Sequence, residues 1–162
     1  MDVDRPTTDD LNALVEQWVA LASEQRAHGS HLAADANRVA MRETLARAIV
    51  TGCARVARDG DDLLGFVTYE PASSQYEGDV TRGYVQNLYV RPDSRGDGVG
   101  AALLDAAERQ LAEIGADAVS LEALADNAAA RRFYRRHGYG VHRVTMEKPL
   151  AAESDSHSKG DR

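Results

Sequence analysis

The sequence predicts a mixed α/β fold, with antiparallel strands first and a β-α-β crossover in the middle. Three features carry that expectation. Helical segments place apolar residues at the 3, 4, 7, 8 spacing of a single buried face. Two short β-type runs flank the turn Asp59-Gly60-Asp61-Asp62, as a hairpin requires. A third run leads through a glycine-rich loop into a strongly periodic helix and then a further strand.

A short N-terminal strand is possible ahead of the first helix, which covers Asp9 to His28. Leu11, Leu14, Val15, Trp18, Val19 and Ala22 line its buried face. Thr8 or Asp9 is placed to cap it and Gly29 to stop it. The second helix runs from Asp35 to Val50, with Met41, Leu45, Ala48 and Ile49 inward, and Gly52 ends it. Cys53 to Ala57 and Leu63 to Glu70 form the hairpin, and Pro71 closes it. Ala72 to Arg82 is polar and reads as a loop. Tyr84 to Val90 is the next strand, ended by Arg91-Pro92. The following helix spans Gly98 to Ile114 on Leu103, Leu104, Ala107 and Leu111, and Gly115 terminates it. Asp117 to Leu124 is a strand, Asp126 to His137 a short helix stopped by Gly138, and Tyr139 to Pro149 an extended closing segment.

With 162 residues, the chain has room for one domain with a sizeable core, assigned to 1–150. Residues 151–162 lack apolar side chains beyond two alanines and read as a disordered tail. No apolar run approaches the ~18 residues that span a bilayer, so no membrane partner is expected. The start, Met1-Asp2-Val3-Asp4-Arg5, does not resemble a signal peptide. Cys53 is the single cysteine, which fits a reducing cytoplasm and excludes an internal disulfide or a multi-cysteine zinc site. His28, His31, His137 and His142 have no metal-ligand spacing, so no metal is expected. The formal net charge of −7 argues against nucleic acid as a partner and favours cationic substrates such as amines.

Arg95-Gly96-Asp97-Gly98-Val99-Gly100, followed by Ala101, is the most informative stretch. Gly98 and Gly100 leave backbone N–H groups unobstructed where a helix begins. Those donors and the helix dipole favour a phosphate. Leu121-Glu122 follows in the next strand, and then Asn127-x-x-Ala130-x-x-Phe133-Tyr134-x-x-x-Gly138-Tyr139.

In this order the three features resemble the GNAT acetyltransferase superfamily, most specifically over Tyr84 to Tyr139. The resemblance implies a GNAT-like acyl-CoA N-acyltransferase fold and acetyl-CoA as co-substrate. The amides of Gly96, Asp97, Gly98, Val99, Gly100 and Ala101 would bind its pyrophosphate. Arg95 would add charge or brace the loop. The strand before the loop would splay from its neighbour, so that Leu88, Tyr89 and Val90 pair with the pantetheine arm. A backbone N–H there would stabilise an oxyanion. Asn127 would contact that arm or position its helix. Tyr134 would lie near the sulfur and protonate the leaving thiolate.

The implied reaction is direct acetyl transfer to a primary amine of a small molecule or a peptide. An ammonium with a pKa near ~10.4 must first lose a proton. Glu122 is the first candidate base, with Glu70 or a water chain as alternatives. Many family members carry a carboxylate in the strand before the loop, where this chain has Gln86 and Asn87. The resemblance also admits a homodimer.

Other readings stand beside these. Tyr134 could be a core aromatic beside Phe133, and Glu122 could pair with an arginine between Arg131 and Arg136. A non-catalytic coenzyme-binding module is one rival. A dinucleotide-binding oxidoreductase is another, since Gly96-x-Gly98-x-x-Ala101 also fits that fingerprint. Arg91 to Arg95 intervene between strand and glycines, however, and the motif starts past the middle of the chain.

Overall fold

A computed structural model describes residues 1–71 and 78–150, organised on a five-stranded sheet. Its strands are β1 (Asp2–Asp4), β2 (Ala54–Asp59), β3 (Asp62–Glu70), β4 (Arg82–Val90) and β5 (Ala118–Ser120), in that spatial order. β1 to β4 pair antiparallel, and β5 joins β4 in parallel. The helices are α1 (Leu11–Arg26), α2 (Arg38–Thr51), α3 (Val99–Glu113) and α4 (Ala128–Arg136). The expected mixed α/β architecture and the N-terminal strand are both present. No helix among the described residues is long and apolar enough to cross a membrane.

Side chains alternate across the sheet and divide the core into two layers. Val56 and Phe66 pack with Leu14, Val15, Trp18 and Leu45 of α1 and α2. Their neighbours Ala57 and Val67 face the other way, against Val99, Leu103, Leu104, Ala107 and Leu111 of α3. The α3 layer is close: a Cβ on Gly83 would lie 2.7 Å from Leu111 Cδ2. Glycine in β4 therefore sets how near α3 can approach.

Element ends differ from expectation where side chains or pairing decide them. A 3₁₀ turn, Thr8–Asp10, precedes α1 and moves the cap upstream to Thr7. The Thr7 hydroxyl accepts from the Asp9 N–H, and the Thr7 N–H donates to the Asp10 carboxylate at 2.8 Å. A second 3₁₀ turn, Asp35–Asn37, takes the first residues assigned to the second helix. In the segment read as a loop, residues 72–77 lie outside the described residues, and Arg82 already belongs to β4. The tail assigned to 151–162 also lies outside them.

The larger correction lies at the C-terminal side. The strand expected over Asp117 to Leu124 is paired only over Ala118–Ser120. Residues 140–150 form no strand, and Val141, Val144, Met146 and Leu150 are exposed. One cause explains both. A strand exists only where a neighbour pairs with it; β4 turns away from β5 after Tyr84, and the outer edge of β5 has no neighbour in the described residues.

Arg58 clamps the N-terminal part to the sheet. Its Nη1 and Nη2 donate to the two Asp10 oxygens at 2.9 and 2.6 Å, and its Nε donates to Asp4 at 2.9 Å. One guanidinium thus joins β1, β2 and the start of α1. The Arg58 hydrogen bonds are the main reason the Asp10 carboxyl is held below its ordinary value of 3.8. A depressed carboxylate contributes stability above its unfolded pKa and loses it as pH falls through the folded value. Asp10→Asn is expected to cost about 1–3 kcal/mol at neutral pH. As pH falls below about 4 the wild type should progressively lose this advantage, and the gap between the two proteins should narrow. Urea unfolding at pH 7 and pH 3 tests this, and a gap at pH 3 as large as at pH 7 would contradict it.

Candidate active site

After Val90 the chain cannot continue as a strand, because Pro92 lacks a ladder donor. A single 3₁₀ turn, Pro92–Ser94, leads into the glycine loop. Gly96 and Gly98 have φ of +87° and +84°, a region that costs other residues roughly 1–2 kcal/mol. Gly98 caps α3 with no side-chain hydrogen bond, and the first helical bond runs from the Ala102 N–H to the Gly98 carbonyl. Among the described residues, none of the amides from Gly96 to Ala101 has a hydrogen-bond partner. Consecutive free N–H groups at the positive end of a fifteen-residue helix form a cradle for an anion.

Arg95 braces this loop. Its Nε donates to the Val90 carbonyl at 2.8 Å, and its Nη2 binds the Glu24 carboxylate at 2.9 and 3.0 Å. Its guanidinium also lies 5.6 Å from the centre of the Tyr89 ring. The loop is thereby tied to α1, and Glu24 balances the arginine charge. Anion capacity at the loop comes from backbone amides.

β4 carries the second part of the site. It pairs with β5 only from Arg82↔Ala118 to Tyr84↔Ser120. Its pairing with β3 steps from Tyr69↔Val85 to Thr68↔Asn87, so Gln86 is the extra residue of a bulge. The Arg91 N–H donates to Leu64 O at 2.8 Å, and Tyr89 lies opposite Phe66. By the alternation of an antiparallel ladder, Leu88 and Val90 turn their N–H and C=O groups away from β3. They face the gap left by β5. Arg95 occupies the Val90 carbonyl, which leaves the Val90 N–H and both Leu88 groups. Tyr89 differs: its backbone faces β3 and its ring is buried in the α1 layer.

α4 closes the site from the other side. The Asn127 side chain accepts from the Ala130 N–H at 3.1 Å and caps α4. Phe133 lies over the first turn of α3, where a Cβ on Gly100 would approach its Cζ to 3.4 Å. Tyr134 stacks edge-on against Phe133 and Tyr139, with ring centres 5.3 and 5.9 Å apart. Burial raises its phenol above the ordinary value of 10. The Tyr139 hydroxyl donates to Glu108 of α3 at 2.7 Å, and burial first, then this bond, raises its pKa as well.

Carboxylates are sparse here. Glu122 is exposed beyond the end of β5, with no ion pair among the described residues. Glu70 is exposed at the end of β3. The Asn87 side chain donates to the buried Thr68 hydroxyl at 2.9 Å. Gln86 and Asn87 share a depression of about 350 Å³ with Trp18, Leu32, Asn37, Ala40, Met41 and Thr44. No group of three or more His, Cys, Asp or Glu among the described residues could hold a metal.

A family model described as Acetyltransferase (GNAT) family matches residues 15–139. The chain belongs to this family. A GCN5-related N-acetyltransferase from Ralstonia eutropha JMP134 is 26% identical, with a TM-score of 0.73 over 93% of this chain and 99% of that one. The PaiA N-acetyltransferase from Thermoplasma acidophilum, solved in complex with coenzyme A, shares the fold at 18% identity and a TM-score of 0.71, over 89% of this chain and 92% of that one. A mycothiol acetyltransferase from Geodermatophilus obscurus is 37% identical over 56% of this chain and 30% of its own length. N-alpha-acetyltransferase 30 from Schizosaccharomyces pombe is 33% identical over 52% and 55%. The chain thus spans about half or less of the curated relatives it matches.

In this GNAT chain the glycine loop, the β4 edge and α4 converge at the start of α3. Sequence spacing located those three segments, but it did not show the links between them. Glu24 lies far from Arg95 in the chain, and nothing near Gly100 announces that Phe133 will pack against it. Gly100 therefore has a packing role besides its free amide. Gly100→Ala should be nearly neutral, because a helix-propensity gain of up to about 1 kcal/mol offsets a tight Cβ contact. Gly100→Val should overpack against Phe133 and cost about 1–3 kcal/mol. Thermal unfolding of both variants tests this, and equal stabilities would contradict the packing role.

Proposed function

We propose that this protein transfers an acetyl group from acetyl-CoA directly to a primary amine of a small molecule or peptide. The observation that carries the reading is the run of unpartnered amides from Gly96 to Ala101 beside a β4 edge released by β5. That pair of features fits a pyrophosphate joined to an extended amide-bearing arm: the amides take the phosphates, and Leu88 and Val90 offer backbone groups to the arm. Acetyl-CoA supplies the activated thioester, and the chain supplies position and proton management. The Asn127 cap sets the direction of α4 along the arm.

The residue roles follow from chemistry. A free N–H on Leu88 or Val90 is placed to stabilise charge developing on the acetyl oxygen. Burial favours the neutral phenol of Tyr134, so its O–H persists at physiological pH and can be given to the departing sulfur. Glu122 is the proposed base. Its exposure leaves it open to water, through which a proton could pass to it from an incoming ammonium. The net charge of −7 favours a cationic acceptor. The neutral Gln86 and Asn87 support a second reading, a coenzyme-binding module without turnover.

Calorimetric titration separates these readings, with NAD as control. Acetyl-CoA should bind one-to-one and NAD should not. Gly98→Val should weaken acetyl-CoA binding about tenfold or more, because it strains a positive-φ position at the cradle. Unchanged affinity would remove the loop from the site. NAD binding instead of acetyl-CoA would favour the oxidoreductase.

Tyr134→Phe should lower kcat by roughly 10²-fold or more and leave acetyl-CoA affinity intact. Wild-type turnover in that variant would exclude Tyr134 as the acid. Glu122→Gln should slow acetylation at pH 7 and recover toward pH 10, where the amine deprotonates unaided. Binding with no acetylation across an amine panel would establish the non-catalytic module.

A further inference from the structure

The depression of about 350 Å³ beside β4 has a lining unlike the rest of this acidic chain. Trp18, Leu32 and Met41 supply an apolar wall, Asn37, Gln86 and Asn87 supply amides, and none of the residues lining it carries a charge. A second depression beside α1, of about 470 Å³, is lined by Glu16, Arg91 and Asp93 among others, so absence of charge is not general to this face. Arg38 and Arg42 share α2 with Met41, but Arg38 is engaged by Glu16 and Asp35, and Arg42 by Asn12. Gln86 and Asn87 line the depression together. Successive side chains of a regular strand point to opposite faces; the bulge at Gln86 lets two neighbours reach one depression. The amide nitrogens of Asn37 and Asn87 donate to Ala33 O at 2.7 Å and to Thr68 Oγ1 at 2.9 Å. Their Oδ1 atoms have no hydrogen-bond partner among the described residues and are left as acceptors. Asn87 immediately precedes Leu88, whose free backbone groups face the gap left by β5.

We propose that this depression holds the body of the acceptor, and that the acceptor is a free primary amine on a compact, apolar and otherwise uncharged body, such as an arylalkylamine. The inference rests on the acetyl-transfer reading and names its substrate class. The apolar wall favours hydrocarbon, and a second charge would be desolvated there without a partner. The amide oxygens accept hydrogen bonds from the amine end, which is rich in N–H donors. A chargeless lining also disfavours an ammonium, and so favours the free amine that attacks a thioester. The negative net charge still draws a single cation from solution; the depression then sorts amines by what carries them. A volume of about 350 Å³ lies at the small end of the range for small-molecule sites, roughly 300–1,000 Å³. That suits one ring or a short chain better than an extended peptide.

Rates of coenzyme A release from the full chain test it, with 2-phenylethylamine, the diamine putrescine and a short peptide beginning with Phe as acceptors. 2-Phenylethylamine should have the highest kcat/KM, about tenfold or more above putrescine. Met41→Glu places a carboxylate in the apolar wall and should erase that preference, with acetyl-CoA affinity unchanged. If that variant does not fold, Ala40→Glu, at an exposed position of the same lining, serves in its place. Trp18 is the only tryptophan and gives a readout that needs no turnover. 2-Phenylethylamine titrated with coenzyme A present should change its fluorescence saturably, and putrescine should not. Saturable binding with no acetylation of any amine would keep the depression as an amine site and sink the transfer reading. Equal kcat/KM for the two amines, a preference for the peptide, or a Trp18 signal indifferent to 2-phenylethylamine would overturn the assignment and leave the transfer reading standing.

Discussion

Beyond Tyr84, β4 has a hydrogen-bonded neighbour on one side only. Backbone N–H and C=O groups in a sheet are costly to leave unpaired away from water, so an edge opened in the middle of a sheet demands a reason. Here the bulge at Gln86 changes the pairing phase just past the point of departure. The strand then continues on β3 alone and presents alternate backbone groups to the gap. The glycine loop stands at the end of that gap, and α4 at its far wall. Without the divergence, the loop amides would lie against a closed sheet with no channel leading to them.

Holding a gap open needs supports that do not fill it. Arg95 provides one from the α1 side, through Glu24, the Val90 carbonyl and the Tyr89 ring. Phe133 provides another from α4, seated where Gly100 leaves room. Tyr139 fixes the end of α4 to Glu108. These contacts act on the two sides of the same loop. They reduce the conformational freedom that the cradle would otherwise lose on binding, which is how preorganisation raises affinity. The partly buried aromatic cluster also sets the environment of the Tyr134 phenol.

Much of this was legible in the sequence because it is local. The apolar spacing from Leu11 to Ala22, the Asp59-Gly60-Asp61-Asp62 turn and the Arg95-to-Gly100 loop each report on residues a few positions apart. What was hidden depends on distant partners. Nothing near Thr7 announces that Arg58 will bind Asp10, and nothing near Arg95 announces Glu24. The sequence from Asp117 to Leu124 is a good strand throughout, yet only Ala118–Ser120 is paired, because pairing is a property of the neighbour. The same holds for the extended pattern after Tyr139. Of the proposed site residues, Gly98 and Asn127 lie at helix caps, whose local chemistry a sequence shows. The division of labour between Leu88, Tyr89 and Val90 required the register.

The two margins of the sheet are built differently. β1 is only three residues long, and its exposed Asp2 and Asp4 flank the half-buried Val3, with Asp4 held by Arg58. A short, acidic margin repels a second acidic strand and gives little length for one to zip onto. Such a margin acts as a terminator. The Arg58 clamp that anchors β1 thereby also guards the sheet's first edge against stray strand addition.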